Sequence, residues 1–425
     1  MKLKQLIFFL FFMSVSYSSF SQDYQKEISK LEEKISELDT KKDSLDSIVK
    51  SIKLAILHKD LEEKGLPEYD KDVEIINHNA LILSYNEDHE QANWVAHIIS
   101  KEITGKGYGR TNDFRPDPLV KTGSTVEKDF FLKHFNPDDS TYSYDGFGYD
   151  RGHLAPSADF RWNREAMSES YFYSNMSPQL PDFNRGIWAK TESFLREYVA
   201  ENNHNIYVVT GGILTDDLPK VEKSINKVSI PREFYKVAAD LETNPPEGIA
   251  FIIPNEGSEY PVISFVVPID SVEKITGINF FASLPDSIQN KFEKTVDTQH
   301  WQTKNRKNNR KPISRNKLPK NAINTVMARS YYDSKAKVCG TVVEVHETRS
   351  GNYFLNFDQD FPEQLFWCTI WKNNIVNFSY SPEEYLLNKK ICVSGTVKKK
   401  YGKPSMSIYN EKQITMYDEE MKKRK

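Results

Sequence analysis

Apolar residues at alternating spacings of three and four dominate the chain from Tyr24 to about Gly65. They occupy these positions, with Lys42 interrupting the series: Ile28, Leu31, Ile35, Leu38, Leu45, Val49, Ile52 and Ile56. Such spacing puts one apolar stripe on an α-helix and is that of an a/d seam of about four heptads. Gly65 and Pro67 end the helix. Residues 22–66 are therefore predicted to form a coiled coil that makes the protein a homo-oligomer, or alternatively one amphipathic helix lying on its own domain.

The segment before the heptads has the organisation of a signal peptide. Lys2 and Lys4 precede the apolar run Leu6–Val15, and small residues follow, so that cleavage after Ser21 is expected. With residues 1–21 removed, the protein would be periplasmic or secreted, with no membrane attachment; an uncleaved anchor is the alternative. Nothing later in the chain approaches the roughly 18 consecutive apolar residues of a membrane-spanning helix.

The 425 residues suffice for two or three domains, with 38% hydrophobic and 28% charged residues. Because the net charge is only -3, any surface that attracts nucleic acid must be local. Three cysteines, Cys339, Cys368 and Cys392, leave at least one thiol unpaired in a monomer. Burial as small apolar side chains is the expectation, and a Cys339–Cys392 bridge is the alternative if their strands are neighbours.

Residues 70–301 have mixed α/β character and are assigned to one domain. Short β-branched or aromatic runs bounded by Gly and Pro predict strands at 205–213, 249–254 and 261–267. Apolar residues at helical spacing predict a helix over residues 184–202.

A basic run separates this domain from a second strand-rich region. Residues 302–320 carry eight Lys or Arg and no acid. They predict a solvated linker over residues 302–325, whose charge could also hold a polyanion by releasing counterions.

Residues 326–420 contain five predicted strands with Gly-bearing turns, which is typical of a small β-barrel, most like an OB-fold. Lysines at 398, 399, 400 and 403 accompany aromatic side chains that could stack on bases. Any one of these aromatics more often fills a core: Tyr353, Phe354, Phe357, Phe366, Trp367 and Trp371. Together they make the barrel a candidate nucleic-acid-binding module.

The stretch YDRGHLAPSADF, residues 149–160, contains the first candidate for hydrolytic chemistry. Phosphodiester hydrolysis needs a base for water, and His153 has the right ordinary pKa. It also needs charge compensation, which a hard divalent cation supplies. Mg²⁺ keeps most of its waters, so one protein amide oxygen can anchor it.

If a helix starts near Asn184, then Asn184, Trp188, Glu192 and Arg196 lie four apart and share one face. An amide, a carboxylate and a guanidinium would then line one side of a groove. Each residue also has a plainer interpretation. Asn184 could be a helix N-cap, Glu192 and Arg196 an ordinary surface pair, and His153 a hydrogen-bonded histidine.

Three segments in this order resemble the DNA/RNA non-specific endonuclease family, which includes secreted bacterial nucleases and mitochondrial endonuclease G: YDRGHLAP (149–156), SNMSPQ (174–179) and FNRGIWAKTE (183–192). The similarity extends over about residues 75–300, through NWVAHIISKEI (93–103), GRTNDFRPDP (109–118), IPREFYKV (230–237), FIIPN (251–255) and ITGINFFASLPD (275–286). It implies an α+β fold. We expect a ββα-metal (His-Me finger) nuclease with a mixed, mainly antiparallel sheet, preceded by the coiled coil and followed by the OB-like barrel.

The resemblance also implies site residues. His153 matches the general base, Asn184 the single protein ligand to Mg²⁺ (Mn²⁺ substituting), and Glu192 the acid that hydrogen-bonds metal-bound water. The remaining matches are the phosphate-steadying Arg151, Arg196 and Arg110 (alternatively Arg115), and the supporting Asn175 and Gln179.

Gly152 would let the backbone come close to the helix without a Cβ clash. Asp150 or a backbone carbonyl would orient the imidazole of His153.

These features predict an exported, Mg²⁺-dependent endonuclease that cleaves DNA and RNA, leaving 5′-phosphate ends as the family does. Because phosphate contacts carry no base information, cleavage should show little sequence specificity. The alternative is a nucleic-acid-binding or scaffold protein with a vestigial nuclease site, against which the intact His153, Asn184 and Glu192 set argues. A third interpretation gives the barrel a protein-binding role, with the nuclease as its payload.

Overall fold

The structure is a computed structural model that describes residues 2–69, 73–105, 107–136, 141–258, 260–303, 309–348, 350–361 and 363–422, with side chains from residue 24 onward. The chain divides into two compact units, Met1–Ile56 and Leu57–Lys425. The predicted signal peptide, residues 1–21, lies outside the residues whose side chains are described. Of the described residues, no helix combines the length and apolar character needed to cross a membrane.

The predicted N-terminal helix is present as α1 (Lys2–Lys64), and Gly65 follows its last residue. The side chains of the heptad seam, from Ile28 to Ile56, are 47 to 63% exposed. The a/d stripe is thus an apolar face open to solvent. Its assembly into a coiled coil remains a prediction.

The elements from Leu57 to Trp301 form an α+β region. After α1 they are β1 (Glu68–Tyr69), β2 (Glu74–Asn77), β3 (Leu81–Asn86), β4 (Gln91–Ile99), β5 (Phe131–Asn136), β6 (Thr141–Gly146), β7 (Asp150–His153), α2 (Arg164–Glu169), β8 (Met176–Gln179), α3 (Ala189–Asn202), β9 (Ile206–Gly212), β10 (Glu233–Asp240), β11 (Glu247–Pro254), β12 (Val266–Val267), α4 (Ile269–Thr276), β13 (Ile278–Asn279) and α5 (Asp286–Phe292).

Seven strands form the main sheet in the order β12-β11-β10-β9-β4-β3-β2, and each neighbouring pair is antiparallel. Since side chains alternate along a strand, β10 has two distinct faces. Tyr235 and Val237 join a core that includes Leu61 of α1 and Phe280. The opposite face carries Phe234 and Lys236, which contact Trp188 just before α3. The sheet thus separates a purely apolar core from the side that carries α3.

The strands predicted at 205–213 and 249–254 are confirmed as β9 and β11. The strand predicted at 261–267 is wrong for most of its length, because residues Val262–Phe265 form a 3₁₀ helix. Pro261 begins the turn, and its carbonyl accepts from the amide of Ser264 at 2.9 Å. Only Val266–Val267 remain to pair with β11.

The C-terminal region contains the predicted strands. Its elements are β14 (Ala322–Asn324), β15 (Lys335–Glu347), β16 (Tyr353–Phe357), β17 (Phe366–Ile370), α6 (Pro382–Leu386), β18 (Lys390–Thr396), β19 (Lys398–Lys400), β20 (Lys403–Ile408), β21 (Ile414–Met416) and α7 (Tyr417–Lys422). They follow the path β19-β20-β17-β16-β15-β18-β21, and β14 also pairs with β15. The β17–β20 and β14–β15 pairs are parallel.

The strands follow an open path and do not form a closed barrel, so the predicted small β-barrel is not present in closed form. β18 pairs with β21, and β20 pairs with β19, each over three residues. Beyond these pairs, Gly395 of β18 and Met406 of β20 approach each other closely. The likeness to an OB-fold remains a prediction.

Two further expectations change in this region. Cys339 and Cys392 are register partners on β15 and β18 and form a disulfide. Burial of both as unbridged thiols is therefore wrong, and only Cys368 is a free, buried thiol.

The described part of the basic run packs against protein. Lys311 donates to the carbonyl of Val266 at 2.9 Å, while Asn309, Ile313 and Leu318 are buried. A fully solvated run is therefore not observed there. The domain boundaries at 302–325 remain predictions.

Candidate active site

Two short strands and a helix carry the predicted site. β7 pairs antiparallel with β8, so that His153 lies opposite Met176 and Asp150 opposite Gln179. After β8 the chain forms one wide helical turn, Phe183–Trp188, and continues as α3. Gly186 is non-helical, with φ -105° and ψ -108°. The predicted four-residue spacing along one regular helix is therefore broken between Asn184 and Trp188.

Gly152 is required by the neighbouring strand, not by the helix as predicted. A Cβ at Gly152 would overlap the side-chain carbons and oxygen of Gln179. Gln179 is fully buried, and both polar atoms of its amide have no hydrogen-bond partner among the described residues. The missing side chain of Gly152 thus makes room for a buried, unpaired amide beside β7.

His153 is half-buried between aromatic rings. Its ring meets Phe114 and Tyr171 edge-on, at centroid distances of 5.6 and 5.1 Å. Its Nε2 is buried without a partner in the described part of the chain. Burial, together with the charges of Arg110 and Arg151, lowers the pKa of His153 to about 3. The imidazole is therefore neutral at ordinary pH and can accept a proton.

Asp150 contacts Asn184, which corrects its predicted role as a partner of the imidazole. The Asn184 Nδ2 donates to Asp150 Oδ2 at 2.9 Å. Arg185 donates to both oxygens of the same carboxylate, at 2.8 and 2.6 Å. Because its nitrogen is held this way, Asn184 turns its amide oxygen away from Asp150.

Glu192 lies one turn from Arg196 on α3, with 3.9 Å between Oε2 and the guanidinium Nη1. Burial raises the pKa of Glu192 to about 7, against the lowering effect of Lys236 and Arg196. Arg196 in turn donates to Asp159 at 2.8 Å, and His97 contacts the other oxygen of Asp159 at 2.9 Å. Arg196 is thus held in a buried ion-pair network behind Glu192.

Lys236 is a site residue that the sequence reasoning missed. It is 1% exposed, and its Nζ donates to Thr210 Oγ1 at 2.7 Å and to the carbonyl of Leu154 at 3.1 Å. Burial lowers its pKa to about 8, while Glu192 and Asp159 raise it. In the sequence, only the presence of one lysine among the apolar residues of β10 could have indicated this buried site residue.

Of the two candidate upstream arginines, Arg110 is the one beside the site. Its charge acts on both His153 and Glu192, and its Nε donates to the Tyr171 hydroxyl at 3.3 Å. Arg115 instead donates to Asp113 and to the carbonyl of Ser168.

Two other predicted residues have clear positions. Arg151 stacks on Phe114, with 3.7 Å from Cζ to the ring centroid. Asn175 is fully buried and bridges the backbone, accepting from the Ala155 amide and donating to the carbonyls of Ala155 and Ser170. Its role is to hold the turn that follows β7.

The residues present fit a hard divalent cation. The Asn184 amide, the Glu192 carboxylate and the unpaired buried amide of Gln179 each offer an oxygen of the kind that Mg²⁺ prefers. His153 Nε2 has no hydrogen-bond partner among the described residues, so it is available to a molecule bound at the site.

Comparison with known proteins identifies the family to which the chain is similar. The model of the DNA/RNA non-specific endonuclease family matches residues 57–287. The chain is 32% identical over 230 residues to a nuclease of Nostoc sp., covering 52% of this chain and 77% of that protein. It is 30% identical over 240 residues to mitochondrial endonuclease G of Homo sapiens, covering 53% and 74%.

The mitochondrial nuclease EXOG of Danio rerio is 28% identical over 242 residues, which span 54% of this chain and 66% of that protein. A solved structure described as the EndoG/EndoGI complex matches at 26% identity and a TM-score of 0.42, covering 52% of this chain and 89% of that one. The family match covers more than half of the chain, which confirms the resemblance noted in the sequence. The chain belongs to the DNA/RNA non-specific endonuclease family and is a hydrolase of nucleic acids.

Proposed function

We propose that the protein is an exported, Mg²⁺-dependent endonuclease that hydrolyses DNA and RNA with little sequence specificity. The observation that carries the proposal is the neutral imidazole of His153, whose unpaired Nε2 lies within the electrostatic reach of Arg110 and Arg151. A proton acceptor beside two cations suits a reaction in which water attacks a phosphate.

Each residue of this chain has a defined part in the proposed mechanism. His153 would accept the proton of the attacking water, and its lowered pKa means that the imidazole is unprotonated at ordinary pH. Arg110 and Arg151 offset charge on the phosphate. The Asn184 amide oxygen would hold the cation, and Glu192 would accept hydrogen bonds from water. Mg²⁺, when bound, supplies Lewis acidity toward the phosphate oxygens.

Arg196 belongs to the supporting shell in this proposal. Its guanidinium is occupied by Asp159 and by Ser193. Its positive charge stabilises the carboxylate forms of Glu192 and Asp159 and so lowers the pKa of both groups.

Export is supported by two features. The N-terminal segment has the organisation of a signal peptide. The Cys339–Cys392 disulfide suits an oxidising compartment, such as the periplasm or the exterior.

Homo-oligomerisation through the N-terminal helix is also part of the proposal. The exposed seam of Leu31, Leu38, Leu45 and Ile52 is an apolar stripe that a second copy would cover. Measurement of the molar mass in solution tests it. A monomer at micromolar concentration would contradict this part alone.

A cleavage assay on single- and double-stranded DNA and RNA, with Mg²⁺ and with EDTA, tests the activity. We expect all four substrates to be cut in Mg²⁺ (Mn²⁺ substituting) and none in EDTA, with 5′-phosphate ends. The rival function, a nucleic-acid-binding or scaffold protein with a vestigial site, predicts binding without cleavage under either condition.

A further inference from the structure

The C-terminal region carries an aromatic cavity of about 760 Å³, outside the residues of the nuclease site. Trp367 of β17 and Tyr401, in the turn between β19 and β20, face each other across it. Their ring centroids are 6.4 Å apart, and their planes differ by 19°. Two ring faces that enclose a planar ring in van der Waals contact need about 7 Å between them. The two rings are closer than this, so a flat ring enters between them only if the exposed Tyr401 moves outward.

The backbone conformation of Tyr401 is unfavourable for a bulky residue. Tyr401 has φ 51°, a left-handed conformation uncommon for a bulky residue, and Gly402 follows with φ 80°. Its side chain is 88% exposed. The turn therefore holds a large aromatic ring out from the sheet, opposite the buried Trp367, at a site where Asn or Gly would be the usual residue.

Polar groups beside the two rings match the other parts of a nucleotide. The ammonium of Lys400 lies 5.3 Å from the Trp367 ring centroid and 5.6 Å from that of Tyr401, where it can meet a phosphate. Gln364 also lines the cavity. Its Oε1 is buried and has no partner among the described residues, so it can accept from an N–H group on the edge of a base, such as the N3–H of thymine.

A second groove connects this cavity to the nuclease helix. It is lined by Arg185 of the wide turn after β8, which is paired with Asp150, by Lys190 of α3, and by Arg329 and Lys403. Glu197 and Glu363 are also in the lining, so the basic side chains outnumber the acidic ones. Lys403 borders both cavities. A sugar-phosphate backbone could follow these cations from the aromatic cavity toward Asn184.

We infer that Trp367 and Tyr401 clamp an unpaired nucleobase, with Gln364 at its edge and Lys400 at its phosphate, so that the C-terminal region holds a single strand leading to the nuclease site. The ligand is single-stranded nucleic acid, because bases in a duplex are stacked on each other and unavailable. The strand's use as substrate rests on the proposed nuclease function, whereas the clamp itself does not.

Binding of fluorescent oligothymidylate to the full-length protein in EDTA tests the clamp. Tyr401→Ala is expected to raise the Kd about tenfold, since stacking of one base on an aromatic ring contributes on this scale. Tyr409→Ala removes another exposed tyrosine, 56% exposed and outside the cavity, and should match the unaltered protein. An oligomer of abasic sugar-phosphates should bind the unaltered protein as weakly as oligothymidylate binds Tyr401→Ala.

An equal Kd for Tyr401→Ala and the unaltered protein would overturn the clamp, as would equally tight binding of the abasic oligomer. Either result leaves cleavage in Mg²⁺ untouched. Conversely, tight base-dependent binding by a protein that cleaves nothing in Mg²⁺ would retain the clamp and reject the proposed nuclease function.

Discussion

Asp150 binds Asn184 across 34 positions of the sequence, by a 2.9 Å hydrogen bond from the amide nitrogen to the carboxylate. This bond decides which end of the amide points toward the site. Without it, the amide could rotate and present its nitrogen, which cannot bind a cation. A residue of the DRGH segment therefore orients the proposed metal ligand, not the neighbouring histidine.

The first prediction follows from this bond. Asp150→Ala should raise the Mg²⁺ concentration for half-maximal cleavage by about 10- to 100-fold, as expected when a ligand loses its orienting partner. Asn184→Ala should be more severe and leave no Mg²⁺-dependent activity. Asp182→Ala, an exposed aspartate nearby whose side chain caps no helix, is the matched control. A normal Mg²⁺ titration for Asn184→Ala would remove it as the ligand.

The second prediction concerns pH. Burial raises the pKa of Glu192 to about 7, so its carboxylate form, which accepts hydrogen bonds from water, appears as the pH rises through that value. His153, with a pKa of about 3, is already neutral there and adds no inflection. Cleavage should therefore increase between about pH 6 and pH 8. Glu192→Gln should show a low and flat profile, and a flat profile for the unaltered protein would contradict the assignment.

Lys236 provides a third prediction, which separates a site residue from a purely structural one. Its charge is the largest influence that lowers the pKa of Glu192. Lys236→Met should therefore move the inflection of the pH profile upward by about one unit, a tenfold change in the proton affinity of the carboxyl. Lys274→Met, at an exposed lysine of α4, should leave the inflection unchanged. If Lys236→Met lowered activity equally at every pH, the electrostatic role would be wrong.

The fourth prediction uses Gly152. Gly152→Ala would force its Cβ into Gln179, so β7 and β8 must move apart. We expect a loss of about 1 to 3 kcal/mol in the free energy of unfolding, together with reduced cleavage because His153 moves with β7. Gly146→Ala is the control, since a Cβ there meets nothing within 4 Å. Similar unfolding curves for the two variants would show that the strands tolerate the side chain.

The sequence predicted best those site residues that belong to recognisable motifs along the chain. The segments around His153, Asn184 and Glu192 marked the site through the family resemblance, which implied the ββα arrangement. Local apolar spacing predicted only the helix, whose regular part begins at Ala189. Lys236 was not predictable in this way. A single lysine in β10 forms no motif, and only the pairing of β10 with β9 brings it beside Thr210 and toward Glu192.

Strand register and packing explain the remaining differences between the predictions from the sequence and the structure. The Asp150–Asn184 bond depends on the β7–β8 pairing and on the break at Gly186, neither of which is encoded in residue spacing. The expected strand at 261–267 met the β-propensity criterion, but Pro261 at its start favours a turn. The C-terminal strands were predicted individually. Their order in the sheet, which follows an open path, depends on long-range pairing that residue spacing does not encode.

The role of His153 as general base is the central claim, and cleavage of plasmid DNA in Mg²⁺ by His153→Ala tests it most directly. Removal of a general base typically costs about 10²- to 10⁴-fold in rate, so we expect cleavage to fall at least 100-fold while DNA binding in EDTA stays nearly unchanged. His134→Ala, an exposed histidine of β5, should cleave normally. Retention of near-normal cleavage by His153→Ala would contradict the account.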